Sequence, residues 1–226
     1  MQTFGEINKK RWDRDHENLN GATYSNDEEL YEAVREQNSY VTIGSFGELD
    51  PYHNFGTVFD SHLITNKTIL DIGVGRGRLL EHFKGLGNRT IGCDVSEVAI
   101  NLASENCDEV YLSENLSSIE PVDLAVCHLV MQHNHEAEVF RILNEVQLKT
   151  DGILTFQFAS LVPEEPQLSP LTIEGINKSM LYFYSASKMK SLVEESSKEV
   201  SEEAGPWWFG EPFNFEWHIL RVKNEN

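Results

Sequence analysis

The chain is short of positive charge. Its 226 residues hold 18 Lys+Arg against 37 Asp+Glu, a formal charge of −19. A protein that tracks a phosphate backbone by bulk electrostatics needs a Lys/Arg surface, so the balance argues against that class, although it allows a local basic patch. Its plainest consequence is solubility. Cysteine is also scarce. Cys93, Cys107 and Cys127 are odd in number, without metal-ligand spacing, and two of them sit inside apolar runs. The expectation is a reduced, cytoplasmic protein with no disulfide framework and no zinc site. Long apolar runs are missing too: the longest, around Leu124 to Met131, is far too short to span a bilayer. The polar stretch from Met1 to Asn20 does not read as a signal peptide. No internal repeat and no low-complexity linker is visible.

What is present is enough apolar and aromatic material, 40% and 10% of residues, for one sizeable core. The length predicts a single domain over 1–226, in three stretches. Residues 1–62 are polar and partly helical, with a capping box from Asn26 to Glu29, then Leu30, Ala33 and Val34 at helical spacing. A turn-rich loop follows over 44–56.

From 66 to 160 the rhythm changes. Strands are predicted at 68–72, 90–94, 109–112, 122–127 and 153–159. Between them lie helices at 78–86, from an N-cap at Ser96 to about Glu105, and at 136–148. The last of these carries Val139, Ile142, Leu143 and Val146 on one face. Such alternation implies a parallel, doubly wound sheet. Beyond 160, the proline-containing stretch 161–182 reads as a cap insertion and 186–197 as a helix. The acidic run Glu194 to Glu203 reads as a solvated helix end, and 213–222 as β-prone. A final strand pair closing one edge would bring the sheet to seven strands. The predicted fold is α/β: a mostly parallel, seven-stranded sheet with helices on both faces and a small cap from the two flanks.

The informative stretch is Asp71-Ile72-Gly73-Val74-Gly75-Arg76-Gly77-Arg78 at the end of the first strand. Alternating glycines let backbone N–H groups approach a ligand closely. Asp94 ends the second strand, placed to accept from ribose hydroxyls. The dinucleotide pattern G-x-G-x-x-G would need glycine where Arg78 stands, and Asp71 would sit poorly beside a pyrophosphate. The turn has no G-K-[ST], which excludes a P-loop. A ligand with a ribose and a cationic head remains.

With Asp94 closing the second strand, Asp71-x-Gly73-x-Gly75-x-Gly77 resembles the class I S-adenosylmethionine-dependent methyltransferases. The resemblance covers about 66–160 and extends faintly to Tyr182-Phe183-Tyr184-Ser185. It implies S-adenosylmethionine as cofactor, with contacts from Asp71, Gly73, Val74, Gly75, Arg78, Asp94, Val95, Asn115, Leu116 and His128. Asp71 would face the methionine end, Asp94 would hold the ribose diol, and Val95 would pack on adenine. Asn115 stands where the family commonly has an acid.

Methyl transfer from a sulfonium is an in-line displacement and rests largely on positioning; a base is needed only for a protonated acceptor. His133, just past the fourth strand, is the candidate base, or else lines the pocket. Tyr24, His53, Tyr184 and His218 are the substrate-side candidates. His128, His133 and His135 lack a carboxylate in ligand register, so no metal is expected. Base-methylating enzymes carry [D/N]-P-P-[Y/F] after the fourth strand, where this chain has Cys127-His128-Leu129-Val130. A nucleic-acid acceptor is therefore disfavoured. The expected acceptor is an oxygen or nitrogen of a small molecule, such as a sugar or natural-product intermediate. The alternatives are a non-catalytic cofactor-binding regulator, or an enzyme acting on a protein or nucleic acid. No membrane partner is expected, and a homodimer is compatible with the sequence.

Overall fold

The structure is a computed structural model. It describes residues 9, 10, 12, 13, 64–128, 130–161, 182–208 and 215–225. The capping box at Asn26, the loop 44–56, Tyr24, His53 and nearly all of the 161–182 insertion lie outside these residues. So do the side chains of Arg78, Trp207 and Trp208.

β1 (Thr68–Ile72) is an almost wholly buried apolar run. It leads through the glycine turn into α1 (Arg78–Gly85), and β2 (Arg89–Asp94) follows. α2 (Glu97–Ala103) starts at Ser96, whose hydroxyl accepts from the Ala99 N–H at 3.1 Å. β3 (Glu109–Leu112) and a 3₁₀ helix (Ser113–Ser118) come next, and then β4 (Val122–Cys127). A short 3₁₀ turn, Met131–His133, precedes α3 (Glu136–Glu145). β5 (Leu148–Leu161), α4 (Ala186–Glu195), β6 (Lys198–Trp208) and β7 (Phe215–Asn224) complete the described chain.

The strands form one seven-stranded sheet in the order β3-β2-β1-β4-β5-β7-β6. Pairing is parallel from β3 to β5 and antiparallel where β7 joins β5 and β6. Successive side chains on a strand point to opposite faces, and each face has its own helices. Leu70, Ile72, Ala125, Cys127, Phe156 and Phe158 pack with Val139, Ile142 and Leu143 of α3 and Met189, Leu192 and Val193 of α4. On the other face, Ile69 and Leu124 pack with Leu80 and Phe83 of α1 and Ala103 of α2. The doubly wound expectation therefore holds. The chain reverses direction across the sheet between β1 and β4, the position where open α/β sheets bind ligands.

Two elements depart from the expectation. The helix predicted to reach 148 stops at Glu145, and Leu148 already begins β5. Asp151-Gly152 is therefore not a turn ahead of the strand but an irregularity inside it. The ladder jumps from Val122↔Leu148 to Leu124↔Ile153. A Cβ on Gly152 would lie 2.7 Å from the Val122 carbonyl oxygen and 2.8 Å from the Lys149 nitrogen, so only glycine fits the bend.

The acidic run is the second departure. α4 ends at Glu195, Ser197 takes a positive φ of 57°, and β6 starts at Lys198. Glu199, Glu202 and Glu203 are strand residues paired with Lys223 at 2.8 Å, Arg221 at 2.6 Å and Lys190 at 2.6 Å. The two cross-strand pairs to β7 and the one to α4 let a glutamate-rich segment accept an edge-strand position.

All three cysteines are buried and free. Burial lifts the thiols of Cys93 and Cys107 to about 12, which makes them poor nucleophiles. Among the described residues, no helix is long and apolar enough to cross a membrane.

Candidate active site

The C-terminal ends of β1, β2 and β4 meet at the glycine turn. The Gly73 and Val74 N–H groups both donate to the Cys93 carbonyl, at 2.7 and 3.1 Å, which fixes the turn to β2. Gly73 has φ +83°, and a Cβ there would fall 2.2 Å from Cγ2 of Val130. The turn thus closes against the loop after β4 with no room for a side chain.

Asp94 is 7% exposed. Its Oδ2 accepts from the Gly75 N–H at 3.0 Å and its Oδ1 from the Ser96 N–H at 2.9 Å. Backbone donors from both sides hold the carboxylate at the tip of β2. Asp71 is buried one strand away, and no hydrogen bond to its carboxylate is found among the described residues. Burial, and then the neighbouring Asp94, push its carboxyl up to about 7. Two acids in a dry site suit a cationic ligand group. Arg76, between Gly75 and Gly77, has a buried Nη1 without a hydrogen-bond partner among the described residues.

The loop after β4 carries the histidines. Burial pushes the His128 imidazole down to about 4, so it is neutral at physiological pH. His133 is half-buried, and its ring meets that of Trp12 edge-on at 5.1 Å. Asp13 accepts from the Ser96 hydroxyl at 2.7 Å, and Lys9 pairs with Glu97. The described part of the N-terminal segment thus touches both the start of α2 and His133, across the tips of β2 and β4. His135 is the N-cap of α3: its Nδ1 accepts from the Ala137 N–H at 3.1 Å. Among the described residues, no group of three or more His, Cys, Asp or Glu could hold a metal ion.

The predicted residues divide accordingly. Asp71, Gly73, Val74, Gly75, Asp94 and Val95 come together at the β1–β2 end, and His128 and His133 lie on the loop after β4, whose Val130 packs against Gly73. Asn115 is exposed on the 3₁₀ helix after β3, whereas Leu116 is 1% exposed and packs in the core. Tyr184 is 6% exposed, and its hydroxyl donates to the Asn134 carbonyl at 2.5 Å, a packing position rather than an open substrate contact. His218 is 5% exposed, stacks on Phe158 at 4.9 Å, and shares a 2.7 Å hydrogen bond through Nε2 with Ser160 Oγ. Arg76 and Gln157 escaped sequence reasoning, and Gln132 stood in the family-like stretch Val130-Met131-Gln132-His133 without a role; for Gln157 the available signal was a polar residue inside an apolar run, Phe156-Gln157-Phe158.

Residues 69–152, from β1 into the bend of β5, match the family model of the methyltransferase domain. This segment carries a methyltransferase domain. Solved structures share the fold at low identity. The 1,6-didemethyltoxoflavin-N1-methyltransferase of Burkholderia thailandensis, solved with 1,6-didemethyltoxoflavin and S-adenosylhomocysteine, is 15% identical with a TM-score of 0.60. That match covers 91% of this chain and 93% of that one. The magnesium protoporphyrin IX methyltransferase of Synechocystis PCC 6803, solved with S-adenosylmethionine, is 14% identical with a TM-score of 0.59, over 100% of this chain and 99% of that one. A methyltransferase from Clostridium acetobutylicum is 13% identical with a TM-score of 0.60, over 89% and 100%. No curated protein matches the sequence.

Proposed function

We propose that this methyltransferase transfers the methyl group of S-adenosylmethionine to an oxygen or nitrogen of a small molecule. The observation that carries the reading is the Asp94 carboxylate, seated on the glycine turn by the Gly75 and Ser96 N–H groups. When bound, S-adenosylmethionine supplies a methyl group already activated on a sulfonium. Asp94 would accept from the ribose hydroxyls, with Val95 next to it for the adenine. Asp71 would offer negative charge to the cofactor's ammonium group, and the buried Nη1 of Arg76, unpartnered among the described residues, would offer a donor to its carboxylate. Gly73 keeps the turn bare, so that backbone and not side chain lines the cofactor.

His133 takes the proton of an acceptor that arrives protonated, with Trp12 against its ring edge. Two solved structures of the same fold support a small-molecule acceptor, being named for 1,6-didemethyltoxoflavin and magnesium protoporphyrin IX. Loss of the base and loss of the cofactor site have different signatures. Titration calorimetry should show S-adenosylhomocysteine binding and no NAD binding. Asp94→Ala should weaken S-adenosylhomocysteine by about 30-fold or more, the loss of charge-assisted hydrogen bonds. His133→Ala should leave that affinity intact and lower turnover by roughly 10²-fold or more. Binding of NAD in place of the sulfonium cofactor would sink the proposal.

A further inference from the structure

The β4–β5 side of the site holds polar groups that the fold leaves unsatisfied. Gln157 and Gln132 are each 1% exposed, and among the described residues neither the amide nitrogen nor the amide oxygen of either side chain has a hydrogen-bond partner. Thr155 is 1% exposed, and its Oγ1 is unpartnered as well. A buried amide left unpaired is costly, and native folds rarely keep one without a use.

Their placement follows from the register. Asp71 pairs with Val126, and Val126 with Thr155, so these three share one row and one face of the sheet. Gln157 is two residues nearer the C-terminal end of β5 on that same face. Gln132 sits in the 3₁₀ turn beside His133. Residues 182–184 tie that turn to the end of β5: the Tyr182 N–H donates to the Gln132 carbonyl at 2.7 Å, and the Tyr184 N–H to the Ala159 carbonyl at 2.8 Å. Both glutamines therefore lie at the ligand-binding end of the sheet. They lie on the opposite side of β1 from β2, which carries Asp94.

We infer that Gln132 and Gln157 recognise the methyl acceptor, and that the acceptor presents neutral cyclic-amide edges, a lactam or cyclic urea. The inference deepens the proposed function and rests on it. A carboxamide carries no charge, so a dry pair of them compensates poorly for the desolvation of an ionic ligand. Each instead presents a donor beside an acceptor, the complement of a ring N–H next to a ring C=O. A hydroxyl such as Thr155 Oγ1 can serve either partner.

The test uses the full chain loaded with S-adenosylhomocysteine and lumazine as probe, at mildly acidic pH where lumazine is neutral. Benzoate and catechol are the comparison ligands. Calorimetry should show lumazine binding more tightly than either. Gln157→Leu and Gln132→Leu should each weaken lumazine at least about tenfold, with S-adenosylhomocysteine affinity unchanged and the melting temperature not lowered. Gln157→Met and Gln132→Met, unbranched and close in size, serve where a leucine variant does not fold. Equal or tighter binding of benzoate or catechol would overturn the inference, as would wild-type lumazine affinity in the variants. Failure of S-adenosylhomocysteine itself to bind would overturn the proposed function first, and this inference with it.

Discussion

On β2 the buried carboxylate of Asp94 accepts two backbone N–H bonds, whereas on β5 the buried carboxamide of Gln157 has none. The contrast runs through the two halves of the sheet. In the β3-β2-β1-β4 half the site is made by backbone: positive-φ glycines at 73, 75 and 77 and the N–H groups they expose. In the β5-β7-β6 half, polar side chains project from regular strands. Some are satisfied, as in the 2.7 Å bond of Ser160 to His218; Thr155 and Gln157 are not. A backbone-built site suits a ligand shared by many enzymes, and a side-chain-built one can be respecified by point substitution. The proposed division of labour between cofactor and acceptor rests on that difference.

The contrast breaks most sharply at Asp71, the acid of the first half that lacks a donor among the described residues. Its carboxyl sits at 3.8 in the unfolded chain and is lifted to about 7 in the fold. The native state therefore holds a proton that the unfolded state has lost between about pH 4 and 7. Stability must fall as pH rises through that window and level off above it. The drop is about 4 kcal/mol at most, at 1.36 kcal/mol per pH unit. Asp71→Asn should remove this decline in urea denaturation measured across the window, and should weaken binding of the cationic cofactor. A cation beside Asp71 favours its ionised form, so S-adenosylmethionine binding near pH 6 should release a proton, visible as a buffer-dependent calorimetric enthalpy. An Asp71→Asn profile parallel to wild type would show that the acid is not strained by burial.

The next effect tests whether the bare backbone is required. Gly73→Ala combines a left-handed φ of +83° with a Cβ 2.2 Å from the Val130 side chain. Backbone strain alone costs about 1 kcal/mol, and the clash adds about 1–3 kcal/mol more. Val130→Ala in the same chain should recover the second part and leave the first. Thermal unfolding of the two single variants and the double variant reads out both. A Gly73→Ala protein as stable as wild type would refute the close approach of the β4 loop.

The same contrast explains what the sequence disclosed. A buried parallel strand is a short apolar run, and a glycine turn interrupts it visibly, so β1, the turn, β2 and the place of Asp94 at its end were legible. Where propensity and context disagree, reading failed. Asp151-Gly152 has the chemistry of a turn, yet the Val122 and Lys149 backbones close over Gly152 and make it a bend within β5. Gln157 belongs to no motif, and Gln132 takes no role from Val130-Met131-Gln132-His133, the stretch after β4 that resembles the family. A lone glutamine in an apolar run says nothing about its partners until the fold shows that it has none.

The acidic run was misread for a related reason, and it yields the smallest effect. Glutamate and serine disfavour strands, so Glu194 to Glu203 resembled a solvated helix end. Its partners come from elsewhere in the chain: Lys223 and Arg221 on β7 and Lys190 on α4. With side chains 43% and 45% exposed, the Lys223–Glu199 pair is screened by water and salt. Lys223→Gln should therefore cost no more than about 0.5 kcal/mol in chemical denaturation, and less in high salt. It should leave S-adenosylhomocysteine affinity untouched, because the pair lies at the far edge of the sheet from Asp94. The edge strand holds its place through its ladder to β7 and the burial of Val222 and Leu220 beneath it. The surface ion pairs make the sequence tolerable there without making the strand. A loss much larger than a surface pair can supply would mean instead that charge pairing carries the β6 edge, and that its antiparallel hairpin folds on electrostatics where the parallel half folds on apolar burial.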